Sequence, residues 1–263
     1  MSTLGWLASV SSSVFVLTTL VQSIINIAQE SYSFAPWQYT LIMIGFLAIT
    51  IVFNTWGAKA LPMLETCSLF GHLAGFLITL IPLLVLAPKN SAKQVFTEVV
   101  NNGGWSNTGT SCLIAQVSVL YCNLGSDSAV HICKTSSHSS IARANSLSAE
   151  EVEDASLVVP QAMWWSFLMN VAMGIVMLIT MLFCIGDLDT AINSEAPYLV
   201  LFQNTGSSVI ATLLMVILFL LIYLGNITAL ATASRELWAF SRDKGFPFSK
   251  WITKVCFVPW ILP

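Results

Sequence analysis

Residues 155–186 read ASLVVPQAMWWSFLMNVAMGIVMLITMLFCIG, thirty-two consecutive positions without a Lys, Arg, Asp or Glu. An α-helix rises about 1.5 Å per residue, so about 20 apolar residues cross the roughly 30 Å hydrocarbon core of a bilayer. This stretch, bounded by Asp154 and Asp187, is long enough to do so. The same pattern recurs along the chain. No charged residue precedes Glu30, and none lies between Glu30 and Lys59, Glu65 and Lys89, Glu98 and Asp127, or Glu195 and Arg235. Spans are expected near 5–28, 38–57, 64–87, 110–132, 162–186 and 207–233. These segments lack the ten-residue alternation of polar and apolar positions that barrel strands require. Helices satisfy their own backbone groups in lipid. The expected fold class is an all-α integral membrane protein with six transmembrane helices.

Composition excludes the main alternatives. Of 263 residues, 56% are hydrophobic and 9% charged, and the net charge is −3. A soluble domain carries roughly a quarter charged residues. A nucleic-acid binder needs a basic face and a disordered tail needs low hydrophobicity; neither is present. The six cysteines, at 67, 112, 122, 133, 184 and 256, form no CxxC pair and read as buried small hydrophobes rather than disulfides or metal ligands. No cleavable signal peptide is expected, because Met1 is followed by no basic region and the first apolar run continues too far.

Loop charge orients the spans. With the N-terminus inside, Lys59, Lys134, Arg143 and the five basic residues from Arg235 to Lys254 fall on the inner side, leaving only Lys89 and Lys93 outside. Eight against two places both termini in the cytoplasm. Residues 187–206 hold three acids and no base, which suits an outer face. Trp37, Trp105, Trp164 and Trp165 are expected near span ends, as an interfacial belt.

Asp127 stands out, within Asn123-Leu124-Gly125-Ser126-Asp127-Ser128 of the fourth span. An ionisable group at bilayer depth is costly and marks a pathway or binding site; the competing reading ends the span earlier and leaves Asp127 at the interface. Gly125 between polar neighbours is a place for the helix to unwind, and discontinuous helices present free backbone groups to substrate. His131, at i+4 from Asp127, shares its face and reads as structural rather than as a proton relay. Asn54 and Asn226 read as interhelical hydrogen-bonding groups rather than ligands, which discounts the glycosylation sequon Asn226-Ile227-Thr228. Pro82 reads as a tolerated kink. No GxSxG, HExxH or Walker A motif occurs, and no second intramembrane acid joins Asp127. An enzyme, a cofactor and a metal site are therefore not expected.

Four stretches, Phe53 to Thr55, Gly125 to His131, Glu150 to Pro160 and Ala231 to Gly245, are together similar to the fungal amino acid, GABA and choline permeases of the amino acid–polyamine–organocation superfamily. Gly125-Ser126-Asp127-Ser128-Ala129-Val130-His131 resembles their sixth helix, and Glu150 to Pro160 the loop after it. Ala231-Thr232-Ala233-Ser234-Arg235-Glu236-Leu237-Trp238-Ala239-Phe240-Ser241-Arg242-Asp243-Lys244-Gly245 resembles the cytoplasmic signature after the eighth. Phe53-Asn54-Thr55, Val95-Phe96-Thr97-Glu98 and Gly103-Gly104-Trp105 also resemble this family. The resemblance implies a LeuT-type inverted-repeat fold, in which the six spans are helices 3–8, and transport of amino acids or related amines by alternating access. It implies substrate contact at Tyr121, Cys122, Asn123, Gly125, Ser126 and Asp127, a small-molecule amino acid or amine partner, and a plasma or vacuolar membrane. It names no coupling ion.

The resemblance also implies missing parts. Nothing matches helices 1, 2 or 9–12, so the chain is expected to be a truncated member with impaired transport. The alternative is a non-transporting membrane fragment or the product of a misassembled gene. Residues 133–148 interrupt the resemblance, and joining Ile132 to Ala149 restores it. Cys133-Lys134 can be encoded with a splice-donor-like GTAAG, Ala144-Asn145 with a branch-point-like sequence, and Val255-Cys256-Phe257 with a second donor. Residues 133–148 are thus read as a retained intron and 255–263 as an aberrant tail, against the alternative of a Ser-rich cytoplasmic loop. Sequencing the transcript is expected to show a spliced message lacking the 133–148 codons; a message that retains them in every spliced copy defeats the reading.

Overall fold

A computed structural model describes residues 2–29, 32–98, 101, 103–121, 155–194, 196–245 and 248–253. All regular structure among them is helical: α1 Ser2–Ala28, α2 Pro36–Thr55, a 3-10 turn Ala58–Ala60, α3 Leu61–Leu86, α4 Ala92–Thr97, α5 Thr108–Tyr121, α6 Ala155–Cys184, α7 Leu188–Asn193, α8 Pro197–Gln203, α9 Ser208–Arg242 and α10 Ser249–Ile252. Five stretches are long and apolar enough to cross a membrane: Thr3–Ala28, Pro36–Thr55, Leu61–Leu86, Leu157–Cys184 and Ser208–Arg242. Of the expected span 110–132, α5 accounts for the first part; the rest lies outside the described residues, as do 133–148 and 255–263.

Helix ends follow local chemistry. Pro36 opens α2 and Pro62 lies in the first turn of α3, where a missing N–H costs no hydrogen bond. Pro82 sits inside α3 without ending it. Two helices outrun their expected bounds. α6 begins at Ala155 rather than 162, so Trp164 and Trp165 lie inside a helix and not at its end. α9 continues to Arg242, nine residues past 233. Charge marks where a helix leaves apolar surroundings, not where its hydrogen bonding stops. α9 ends in a Schellman arrangement, with Gly245 N donating to Phe240 O and Lys244 N to Ser241 O. The left-handed position there is Lys244, φ 61°.

The chain divides into two compact units, Met1–Pro88 with Cys184–Pro263, and Lys89–Phe183. In the second, Asn90 reaches the end of α6, its backbone N donating to Phe183 O at 2.7 Å and its Nδ2 to Leu182 O at 3.3 Å. Phe96 of α4 meets Phe183 edge-on, ring centroids 5.9 Å apart. Asn107 caps α5 by accepting from Thr110 N at 2.7 Å.

In the first unit α9 is the hub, touching α1, α2, α3, α8 and α10, most extensively α1. Val10, Val14, Leu17 and Leu20 of α1 form its buried stripe, at the 3–4 spacing of one helix face. Against α3, Gly75 lets the backbone approach: a Cβ there would lie 2.9 Å from Leu221 Cδ1 and 3.3 Å from Ile217 Cγ2. Gly71, one turn earlier, faces the same Leu221, a small-xxx-small contact of the kind that joins helices in lipid. Large apolar side chains point outward instead, among them Phe70 at 65% and Val85 at 71% exposure, as a lipid-facing surface requires. The cysteines divide the same way. Cys184 is buried and its thiol donates to Leu83 O at 3.3 Å, whereas Cys67 and Cys112 are exposed, correcting the expectation that all are interior. An apolar run has an outer face, and a thiol is apolar enough to occupy it.

Polar side chains join α2 to α9. Asn226 Nδ2 donates to Thr50 Oγ1 at 3.1 Å, and Asn54 Nδ2 donates to Ile227 O at 3.0 Å and to Thr50 O at 2.9 Å. Thr50 is fully buried and Asn226 is 1% exposed, so both asparagines serve helix contact as expected, and the sequon is inaccessible. Bonds of this kind between membrane helices average about 0.6 kcal/mol, with a maximum near 1.7. A Thr50→Val/Asn226→Leu double-mutant cycle, measured by unfolding in detergent, is expected to give a coupling of about 0.5–1.5 kcal/mol; a coupling of zero means the side chains do not meet.

Candidate functional site

The expected substrate contacts fall at the margin of what is described. Tyr121 is the last residue of α5 and its side chain is not described, while Cys122, Asn123, Gly125, Ser126 and Asp127 lie outside the described residues, as does His131. The site that the structure does present is elsewhere, in the first unit at the C-terminal end of α1. It is a cavity of about 730 Å³, within the roughly 300–1,000 Å³ range of small-molecule sites.

Helical spacing builds its main wall. Phe15, Thr19, Gln22, Ser23 and Asn26 of α1 line it, at offsets of four, seven, eight and eleven residues from the first. At about 100° per residue these lie on one face, roughly opposite the Val10–Leu20 stripe packed on α9. α1 therefore packs with one side and lines the cavity with the other. Phe34, Pro36 and Tyr39 supply a second wall, and Ser194, Ala196, Leu199 and Val200 a third. None of these residues is charged.

Hydrogen bonds hold the walls together. Tyr39 Oη donates to Phe15 O at 3.0 Å and stands 2.6 Å from Thr19 Oγ1. Gln22 Oε1 accepts from Phe34 N at 3.5 Å. The Phe15 and Tyr39 rings are 5.5 Å apart, and those of Phe34 and Tyr39 6.5 Å. Asn26 Oδ1 is buried without a partner among the described residues. Tyr198 of α8 is pushed above its ordinary phenol pKa by burial, opposed by the Ser23 side chain, so it stays neutral at physiological pH.

The third wall is positioned by the connection from α6. Gly186 leaves that helix at φ +72°, and a Cβ there would lie 3.1 Å from Asn204 Nδ2. Asn204 Nδ2 donates to Cys184 O at 3.0 Å and Ile185 O at 2.9 Å, satisfying carbonyls at the helix end. Asp187 then caps α7, accepting from Thr190 N at 3.0 Å and Thr190 Oγ1 at 2.6 Å. This α1 face was missed in the sequence. Its signal was there: Thr19, Gln22, Ser23 and Asn26 repeat at helical spacing inside a charge-free span.

Residues 1–256 match the family described as amino acid permease. The chain is 30% identical over 260 residues to an uncharacterized amino-acid permease of Schizosaccharomyces pombe, covering 96% of this chain and 44% of that protein. It is 28% identical over 203 residues to a choline transporter of Saccharomyces cerevisiae, covering 75% of this chain and 33% of the relative. With the GABA-specific permease of the same yeast it shares 25% over 224 residues, 81% of this chain and 36% of the relative. The chain thus spans less than half the length of these curated relatives. No solved structure matches it.

The two Thr190 donors hold the Asp187 carboxyl below the ordinary carboxylate range, the side-chain donor contributing most. A folded pKa below the unfolded value means that the cap contributes above the unfolded pKa, near 3.9, and is lost as pH falls through the folded one. Thr190→Val, which removes the hydroxyl donor and keeps the backbone N–H, is expected to move the Asp187 titration, followed by carboxyl-carbon NMR, part of the way up toward that ordinary value; an unmoved titration would exclude the Thr190 hydroxyl as the main cause.

Proposed function

The chain belongs to the amino acid permease family, and we propose from that premise that it acts in transmembrane transport of amino acids or related amines, GABA and choline among them, by alternating access. The observation that carries the reading is the family match over residues 1–256, on a multi-pass integral membrane protein with five apolar helices of spanning length. The family is one of transporters, not enzymes. Two relatives, a choline transporter and a GABA-specific permease of Saccharomyces cerevisiae, support the substrate class.

In this reading the chain continues past α5 to complete a sixth span, and the six spans correspond to helices 3–8 of the LeuT-type inverted-repeat fold. Substrate meets Tyr121, Cys122 and Asn123 and the backbone at Gly125 and Ser126, where the helix unwinds. Asp127 answers the charge of a cationic substrate. Both termini are cytoplasmic, in a plasma or vacuolar membrane, by the loop bias of basic residues. The cavity beside α1 then lies on the outer side, where solute arrives.

Uptake of radiolabelled GABA, choline and amino acids by cells expressing residues 1–263 tests this. Impaired uptake is expected, well below that of the full-length yeast permeases, because the chain spans less than half their length; uptake as fast as theirs would overturn the impairment, and any residual saturable uptake is expected to be lost in Gly125→Val while the chain still reaches the membrane. Correctly inserted chain without uptake of any of these solutes supports the alternative of a non-transporting membrane protein.

A further inference from the structure

We propose that the turn after α9, from Arg242 to Trp251, is a docking surface for anionic phospholipid headgroups, holding that end of the helix to a negatively charged bilayer surface. The uncharged part of α9, Ser208 to Ser234, is about 40 Å long, enough to fill a hydrocarbon core of roughly 30 Å with some tilt. Arg235 follows at once, and Arg242 lies about 10 Å further along the axis, at the depth of the headgroups. The chain does not run straight on from there. Lys244 and Phe248 both take left-handed backbone, φ 61° and 64°. A Cβ at Gly245 would lie 2.5 Å from Phe240 Cζ, so the chain bends closely over that ring. α10 then touches α9. The turn is thereby kept beside the helix end, at the membrane surface.

What the turn shows at that depth is aromatic and basic. Phe248 is 82% exposed and Trp251 77%, the two most exposed large apolar side chains among the described residues. Lys250 lies between them in sequence and is exposed, as is Lys244. The boundary between headgroups and hydrocarbon is the place where rings of this kind are at home. Charge selects the headgroup. Arg235, Arg242, Lys244, Lys250 and Lys254 follow the apolar run closely, against only two acids, Glu236 and Asp243. Arg242 is already engaged, its Nε 3.6 Å from Asp243 Oδ1 and its guanidinium 5.2 Å from the centre of the Trp238 ring. Lys244 and Lys250 have no acidic partner among the described residues. Their ammonium groups can therefore meet the phosphate and carboxylate of an anionic lipid. A zwitterionic lipid offers the rings the same boundary but gives the lysines no net charge. A soluble acidic partner answers the lysines but leaves Phe248 and Trp251 in water.

Only the spanning of a bilayer by α9 is assumed, and no transport step enters the test. The 263-residue chain is placed in nanodiscs of one fixed composition, a minority of phosphatidylserine in phosphatidylcholine. Bromine is carried near the headgroup end of the acyl chains, on the phosphatidylserine or on an equal share of the phosphatidylcholine. Bromine quenches nearby indoles, and the quenching that disappears in Trp251→Phe belongs to Trp251. That share is expected to be at least about twofold larger with brominated phosphatidylserine, since each basic residue near an anionic surface favours it by about fivefold. The preference is expected to vanish in roughly 0.5 M NaCl and in the double variant Lys244→Asn/Lys250→Gln, in which Asn tolerates the left-handed backbone at 244. Melting temperatures identify a variant that fails to fold, and Lys250→Gln alone, at an exposed position of ordinary backbone, then serves and is expected to lower the preference. Equal quenching by the two lipids, quenching of Trp251 by neither, or a preference unchanged in the folded lysine variants would each overturn the proposal; quenching by neither is the result for a surface covered by protein. Lipid selectivity without uptake counts against the transport reading alone, and uptake without lipid selectivity counts against this proposal alone.

Discussion

The first unit depends on polar groups meeting between helices in a medium that rewards nothing else of the kind. Lipid tails are as apolar as Leu, so burying one apolar helix against another gains no hydrophobic driving force. What remains is close packing and hydrogen bonding. Asn226 to Thr50 and Asn54 to Ile227 O supply the second, in a contact buried from both sides. Gly71 and Gly75 supply the first, by bringing the α3 backbone up to Leu221. Both sets converge on α9, the helix against which α1, α2 and α3 pack.

That arrangement frees one side of α1. Because its Val10–Leu20 stripe is committed to α9, the opposite face with Thr19, Gln22, Ser23 and Asn26 is available to line a cavity. The polar groups there have a second role. Their hydrogen bonds to backbone carbonyls anchor Tyr39 of α2 to α1 and at the same time determine which hydrogen-bonding capacity is left facing inward. The wall formed by 194–200 is held by the turn at Gly186, the Asn204 bonds and the Asp187 cap.

How far the sequence could be read depended on the kind of constraint. Spans of about 20 uncharged residues could be placed because crossing a bilayer is a matter of length and charge. Their ends were less legible, since hydrogen bonding carries α9 through Arg235 and Glu236 to a Schellman end at Lys244. Asn54 and Asn226 could be read as helix contacts because an amide in an apolar run needs a partner. Cys67 and Cys112 were misread because apolar character does not separate a lipid-facing side from a protein-facing one.

By itself, then, the sequence determined a helical, multi-pass membrane chain and its permease family, because charge spacing, helix rise and motif residues are written along one dimension. Only the tertiary structure decided which face of α1 packs and which lines a cavity. These helices are apolar nearly all round, so their amphipathicity does not say where a neighbour will sit. Small residues and paired amides on other helices, distant in sequence, make that choice.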